Sequence, residues 1–309
     1  MDQNSGPSLI LVKTALDKLL DEATIEMAVV GKATAKDEMV FTQDSATNAA
    51  VVTSVIGGGG YFQDTLVDVA PTTDAIISAA AQKTSLVVQF KKNLPIARTF
   101  MADQQLSAVS KAVRQQALTW GASQDRNAFS KYSLGFTTQL TIDGVALFSN
   151  SHINQNGDTV DNLETGALTD PNLNIMVNSL RTQVSQTGVV LGYEPKFLLT
   201  PSILHQTGMA TAKSVLRAGG ANNDLNYFSE MYPGMKVVYS PFLDGTSTTA
   251  YFLGSQTHGV YRFEREAFFT DLVDWKFNAN DQYIYKMRAR EVVDSIEYSG
   301  LVGSTGTTA

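Results

Sequence analysis

The chain has three histidines, His152, His205 and His258, and no cysteine. Disulfides, thiolate zinc sites, iron–sulfur clusters and cysteine nucleophiles are therefore excluded. Ser149-Asn150-Ser151-His152 sets hydroxyls beside an imidazole, the types a soluble serine hydrolase would use with Ser151 as nucleophile and His152 as base. Sequence neighbours alone do not make a triad, because a third group must orient the base and donors must meet the oxyanion; no Gly-x-Ser-x-Gly elbow is present. Asn154, Asn156, Asp158 and Asp161 offer hard oxygen ligands for a cation such as calcium, without the twelve-residue pattern ending in glutamate of an EF-hand. The reading favoured by this composition is an Asx-rich turn. Four glycines, Gly57 to Gly60, lack the Gly-Lys-Ser/Thr of a phosphate loop and read as a hinge. Glu264 with Glu266, or Asp271 with Asp274, could share a proton in acid–base work, yet Arg262, Arg265 and Lys276 between them favour a charge network, solvated or intersubunit. No catalytic, cofactor or metal residue is assigned.

Charge gives a second kind of candidate. The net charge is -7, and charged residues make up only 17% of the chain, well under the ~25% of an average soluble domain. Such a surface suits a chain largely covered by neighbouring subunits. The acidity is uneven: residues 1–82 hold 4 basic and 11 acidic side chains, residues 83–140 hold 8 basic and 2 acidic, and residues 141–309 hold 11 and 17. Lys83, Lys91, Lys92, Arg98, Lys111, Arg114 and Arg126 thus form a basic segment that faces either phosphate or an acidic protein partner.

These residues need elements to hold them. Residues 9–28 carry apolar side chains at helical spacing with charges between, an amphipathic helix expected on a partner surface. Residues 39–41 and 51–56 read as short strands. Residues 61–69 and 86–90 read as the two strands of a long arm turning at Pro71 to Asp74. An isolated hairpin is marginal in water, so a neighbouring subunit is expected to hold it. Residues 102–132 give the strongest helix signal, with Leu106, Val109, Val113, Ala117 and Trp120 at three- and four-residue intervals. Asp143-Gly144 reads as a hairpin turn within residues 136–148, and residues 150–169 as a polar loop. Asp170-Pro171 opens a helix to about residue 186, with Asp170 as its cap and Pro171 at the first helical position. Residues 201–216 read as a further helix, and 197–200, 237–240, 249–253, 259–263 and 283–297 as strands, before a Gly/Ser/Thr tail. The class is α+β, with no repeated βαβ unit. No apolar stretch approaches the ~18 residues of a membrane span, and no cationic region precedes the short apolar run at residues 9–12, so neither a membrane anchor nor a secretory signal is expected.

The motifs and their order carry a resemblance. A strand pair leads to Lys91-Lys92-Asn93-Leu94-Pro95-Ile96-Ala97-Arg98, then the long helix, then Asp143-Gly144-Val145-Ala146-Leu147-Phe148-Ser149-Asn150-Ser151-His152. Glu194 to Pro201 and Val237 to Leu243 follow in turn. This order resembles the major capsid proteins of tailed bacteriophages, particularly the Mu-type major head subunit group, over about residues 60–300. The resemblance implies the phage major capsid (Johnson) fold: an N-terminal arm at 1–56, an extended hairpin loop at 57–97, a peripheral domain with its spine helix at 98–135, an axial domain at 136–255, and a return to the peripheral domain with a C-terminal tail at 256–309. It further implies a virion structural protein, not an enzyme, that forms the hexamers and pentamers of an icosahedral shell around double-stranded DNA. The basic segment would then lie near packaged DNA or between subunits. No cofactor is implied. The chain begins at Met1 without a long charged helical preface, so a separate scaffolding protein is expected, with a portal, and assembly in the cytoplasm of a bacterial host. An encapsulin-like compartment shell is the related alternative, and the serine hydrolase is the alternative from another class.

Overall fold

The computed structural model describes residues 9–25, 31–57, 78–102, 106–216, 225–277 and 280–307. Helix α1 (Leu9–Ile25) is followed by β1 (Thr42–Ser45), β2 (Ala50–Gly57), β3 (Ser78–Leu86), β4 (Val88–Ala97), the short α2 (Arg98–Ala102) and the long α3 (Leu106–Ser133). Three two-residue strands come next, β5 (His152–Ile153), β6 (Thr159–Val160) and β7 (Leu163–Glu164). The chain continues through α4 (Asp170–Thr182), β8 (Pro195–Thr200), α5 (His205–Lys213), α6 (Tyr227–Met231), β9 (Lys236–Tyr239) and β10 (Tyr251–Ser255). It closes with β11 (Val260–Val273), a 3-10 turn at Trp275–Phe277, β12 (Gln282–Ser295) and β13 (Leu301–Ser304).

Two sheets organise these elements. The first has the order β1-β11-β12-β4, with β1 parallel to β11 and the other pairs antiparallel. Side chains alternate along β12, so Tyr285 and Met287 face inward with Leu272 and Ile96, whereas Lys286 and Arg288 are exposed on the other face. Leu16 and Leu20 of α1 and Val109, Val113 and Ala117 of α3 cover the inward face. Helix α1 therefore packs on its own chain, contrary to the expected partner surface: helical periodicity predicts that a stripe is covered, not what covers it. Lys13 and Thr270 both bond to Asp17 and help fix the helix there.

The second sheet has the order β7-β13-β10-β8-β9. Leu198, Tyr251, Leu253 and Val302 face α4, α5 and α6 through Leu173, Met176, Leu180, Ala212 and Phe228. Phe197, Leu199, Phe252 and Leu301 face the opposite core. Both faces are buried, which accounts for the nearly unbroken apolar runs of β8 and β10. Residues 31–33 extend this sheet along β9, where the Ala33 amide donates to the Tyr239 carbonyl at 2.8 Å.

Helix α3 joins the halves. At 1.5 Å per residue its 28 residues span about 42 Å. Its first half lies on the four-stranded sheet, while Ala128, Phe129 and Tyr132 enter an aromatic core with Phe41, Phe148 and Phe252 beside the second sheet. Ring centroids there lie 5.1–5.3 Å apart for Phe41–Phe129, Tyr132–Phe252 and Phe148–Phe252, near the distances aromatic pairs prefer.

Several expectations change. The described strands of the arm are β2 and β3, paired from Ala50↔Leu86 to Gly57↔Ser78, and residues 88–90 of the expected second strand belong instead to β4, paired with β12. Residues 61–69 and most of the glycine run lie outside the described residues. One residue, Val87, separates β3 from β4, which leaves the arm for the four-stranded sheet and begins there at Val88↔Glu291. No glycine or proline marks that bend in the sequence, because the Val87 amide is held by the Ala49 carbonyl at 2.9 Å. Around Asp143-Gly144 a single bridge, Leu140↔Ala146, replaces the expected strands. Thr169 caps α4 with extended backbone, so Asp170 is the first helical residue and Pro171 the second; the helix ends at Thr182. The expected C-terminal tail instead supplies β13, between β7 and β10. Its small residues serve close packing: a Cβ on Gly303 would lie 2.6 Å from the Phe148 ring.

Candidate assembly and nucleic-acid interface

The hydroxyl and imidazole pair is not arranged for catalysis. His152 is fully buried and stacks on Tyr298 with ring centroids 4.2 Å apart. Its Nδ1 meets Asp143 Oδ2 at 2.6 Å and its Nε2 faces the Leu147 carbonyl at 3.3 Å. Ser151 Oγ lies instead 2.9 Å from Ser149 Oγ. A serine base must turn a ring nitrogen toward the hydroxyl, and both nitrogens are turned to other oxygens, so the Ser151/His152 hydrolase reading is withdrawn. Burial pushes the Asp143 carboxyl up, but bonds from His152, Thr141 and the Val145 amide outweigh it and hold the group below the usual carboxylate range. The triplet closes the loop that follows α3.

The other candidate sites are also satisfied internally. Asn154 Oδ1 accepts the amides of Asn156 at 3.0 Å and Asp158 at 2.8 Å, and its Nδ2 donates to Asp158 Oδ2 at 3.1 Å. These are Asx-turn bonds, which fits the reading of the segment as an Asx-rich turn. Asp161 accepts the Leu163 amide. Glu264 and Glu266 fall into charge networks within the chain, and Asp274 accepts the Lys276 amide. Buried Arg262 of β11 binds Glu291 of β12, Glu264 and Gln43, and Gln124 of α3 donates to the same Glu291 oxygen at 3.0 Å. Glu266 pairs with Arg288 at 2.9 Å.

The seven basic candidates do not form one surface. Lys83, on the arm strand β3, donates to the Leu140 and Ser295 carbonyls at 2.7 Å and to Asp294 Oδ1 at 2.8 Å. Ser85 donates to Asp294 Oδ2 at 2.5 Å and Gln139 to Oδ1 at 2.6 Å. Lys83 therefore fixes the base of the arm to its own chain. Arg98 stacks 4.2 Å over Trp275 and lies 3.8 Å from Asp281. Lys91 is opposite Arg288 in register and shares the open face of the four-stranded sheet, whereas Lys92 is opposite inward-facing Met287. Lys111, Arg114 and Arg126 lie on the exposed side of α3, with Lys111 and Arg126 about 22 Å apart along the axis. The helix group and Lys91 thus belong to opposite sides of the layer.

Residues outside the basic segment complete the open face. Lys286, Arg288 and Arg290 alternate along β12 beside Lys91, and Arg288 also rests 5.1 Å over Phe269. Their period-two spacing is the sequence signal that could have found them.

The phage capsid protein family matches residues 81–303 of the chain. The chain belongs to the phage capsid protein family. A comparison with curated proteins finds no match. Among solved structures, this capsid protein is similar to the capsid of an empty GTA particle (TM-score 0.54, 10% identity, 91% of this chain and 93% of that one covered). It is also similar to the procapsid of bacteriophage JBD30 (TM-score 0.51, 16% identity, 98% and 77% covered). A third likeness is to a virus-like particle from Pyrococcus furiosus (TM-score 0.52, 9% identity, 94% and 98% covered). At these identities the likeness is one of fold, and the capsid protein has the Johnson fold. Among the described residues no helix is long and apolar enough to cross a membrane.

Proposed function

We propose that this is a major capsid protein, many copies of which close into an icosahedral phage head around double-stranded DNA. The family match over residues 81–303 carries the proposal. The four-stranded sheet with α1 and α3 is the peripheral domain, and the five-stranded sheet with α4, α5 and α6 is the axial domain that meets its copies around five- and six-fold axes. In this reading the extended loop runs over residues 50–86 and not 57–97, which the pairing of β2 with β3 and of β4 with β12 supports. Within the family, the motif order from Lys91 through Leu243 supports the Mu-type major head subunit group. The exposed side of α3, with Lys111, Arg114 and Arg126, faces the genome, and the acidic remainder of the surface is covered by neighbouring copies. A separate scaffolding protein and a portal complete the assembly in the bacterial cytoplasm. No enzymatic step is needed for this role.

Electron microscopy of the purified full-length protein tests the proposal. Closed shells or ordered capsomers are the expected result; a monodisperse monomer across salt concentrations, with and without co-expressed scaffold, would overturn it. Shells that carry a protein cargo and no DNA would instead favour an encapsulin-like compartment.

A further inference from the structure

The open face of the four-stranded sheet holds guanidinium groups that the chain itself does not neutralise. The pairing of β11 with β12 shifts register between Glu264 and Glu266, so Arg265 is the extra residue of a bulge and stands with Glu266 against Arg290. Arg265 Nη1 and Arg290 Nε are both buried without a hydrogen-bond partner among the described residues. Glu266, the carboxylate in register with Arg290, pairs instead with Arg288 at 2.9 Å. Other carboxylates close by are committed as well: Glu264 and Glu291 hold Arg262 on the α3 side, and Asp294 holds Lys83. Lys91 and Gln89 of β4, both exposed, stand opposite Arg288 and Arg290. Val292, two residues along β12 from Arg290 and so on the same face, is buried in an apolar cluster against which Val51 and Val87 pack at the foot of the arm.

We propose that Arg265 and Arg290, with Lys91 and Arg288 at the rim, bind a small oxyanion of the phosphate class. Buried donors of a charged group are costly when no acceptor meets them, and an anion seated between the two strands removes that cost. The planar fork of a guanidinium matches the spacing of phosphate oxygens. Charge decides between phosphate and carboxylate. Glu266 balances Arg288, whereas Arg265, Arg290 and Lys91 remain positive; a phosphate carries up to two negative charges near neutral pH and a carboxylate only one. The apolar cluster beside Val292 keeps water from one side of the site, which strengthens each polar contact made there. Every group belongs to a single chain and to the sheet face turned away from α3. The site therefore goes beyond the shell reading and does not depend on it.

Equilibrium dialysis of the full-length protein against radiolabelled inorganic phosphate, in chloride buffer at constant ionic strength, tests the proposal. Saturable binding that approaches one phosphate per chain is expected. Arg265→Gln and Arg290→Gln should each weaken it by about tenfold, whereas Lys18→Gln, which removes an exposed cation of α1, should leave it unchanged. Arg290→Lys keeps the charge but lacks Nε, so it should also bind about tenfold more weakly, and it serves where the glutamine variants fold poorly. Wild-type affinity in a folded Arg290→Lys protein would contradict the assignment. Competition separates the anions. Acetate, a singly charged carboxylate, should displace phosphate only at far higher concentration, and so should single-stranded oligothymidylate counted per phosphodiester. Displacement by either at concentrations as low as those of phosphate itself would assign the site to a carboxylate or to nucleic acid and defeat the proposal. A folded wild-type protein without saturable phosphate binding would defeat it outright, and either outcome leaves the shell reading standing.

Discussion

At the residue scale, the histidines serve structure, and His258 shows it most sharply. Its Nδ1 accepts the Val260 amide at 3.3 Å, so Nε2 carries the proton and donates to the Met39 carbonyl at 3.1 Å. Burial pushes this imidazole down to about 4 from its ordinary value near 6.5, against a smaller opposing effect of the Met39 bond. The unfolded chain therefore binds a proton between those values that the folded chain refuses. Stability contributed by the neutral ring is complete above about pH 6.5 and declines as the pH falls toward 4, by at most about 3 kcal/mol. Urea titrations at pH 7 and pH 4.5 should show this loss, and a folded His258→Asn variant should lack its share of it; equal pH dependence in both proteins would refute the assignment. The residue types at 149–152 suggested a base and a nucleophile, but sequence carries no information on where each ring nitrogen points. In the fold, Asp143 and the Leu147 carbonyl take both.

At the element scale, the long helix was legible because Val109, Val113 and Ala117 repeat at the period that buries one face, and α3 buries those residues. β13 was not legible: four residues are too few to show alternation, and Gly303 with Ser304 resembles a tail in composition. Their small size is demanded by the Phe148 ring, a partner 155 positions away in sequence from Gly303. The arm was misread for a similar reason, since the bend at Val87 is made by a bond to Ala49 and not by a turn residue. A consequence separates strand from tail. Truncation after Gly300 removes the strand between β7 and β10, so Leu253 and Phe252 are left without a neighbour on one side and the protein should become insoluble or molten. Removal of an unstructured tail would leave solubility and near-ultraviolet circular dichroism unchanged, and that result would contradict the assignment.

At the scale of the whole molecule, the uneven charge of the sequence resolves into opposed surfaces. The seven cations expected to act together are divided: Lys83 and Arg98 are engaged within the chain, Lys91 joins Arg288 and Arg290 on the open sheet face, and Lys111, Arg114 and Arg126 follow the outer side of α3. Linear charge counting could mark the segment but not the fold that separates its parts. If the helix side faces DNA, Lys111→Ala with Arg114→Ala should weaken genome retention while shells still form, and the logarithmic salt dependence of retention should become shallower by about one for each phosphate no longer neutralised. Retention with an unchanged salt slope would indicate that these residues touch protein instead.

The position of β13 also sets an order of events during synthesis. A chain grows from its N-terminus, and early-made units generally fold first. Strand β10, made earlier, pairs on one side with β8, but its other partner does not exist until translation has passed residue 304. The five-stranded half therefore completes its packing only near the end of translation. A chain interrupted before that point lacks a finished five-stranded half, so the topology itself favours the exclusion of incomplete subunits from a growing shell.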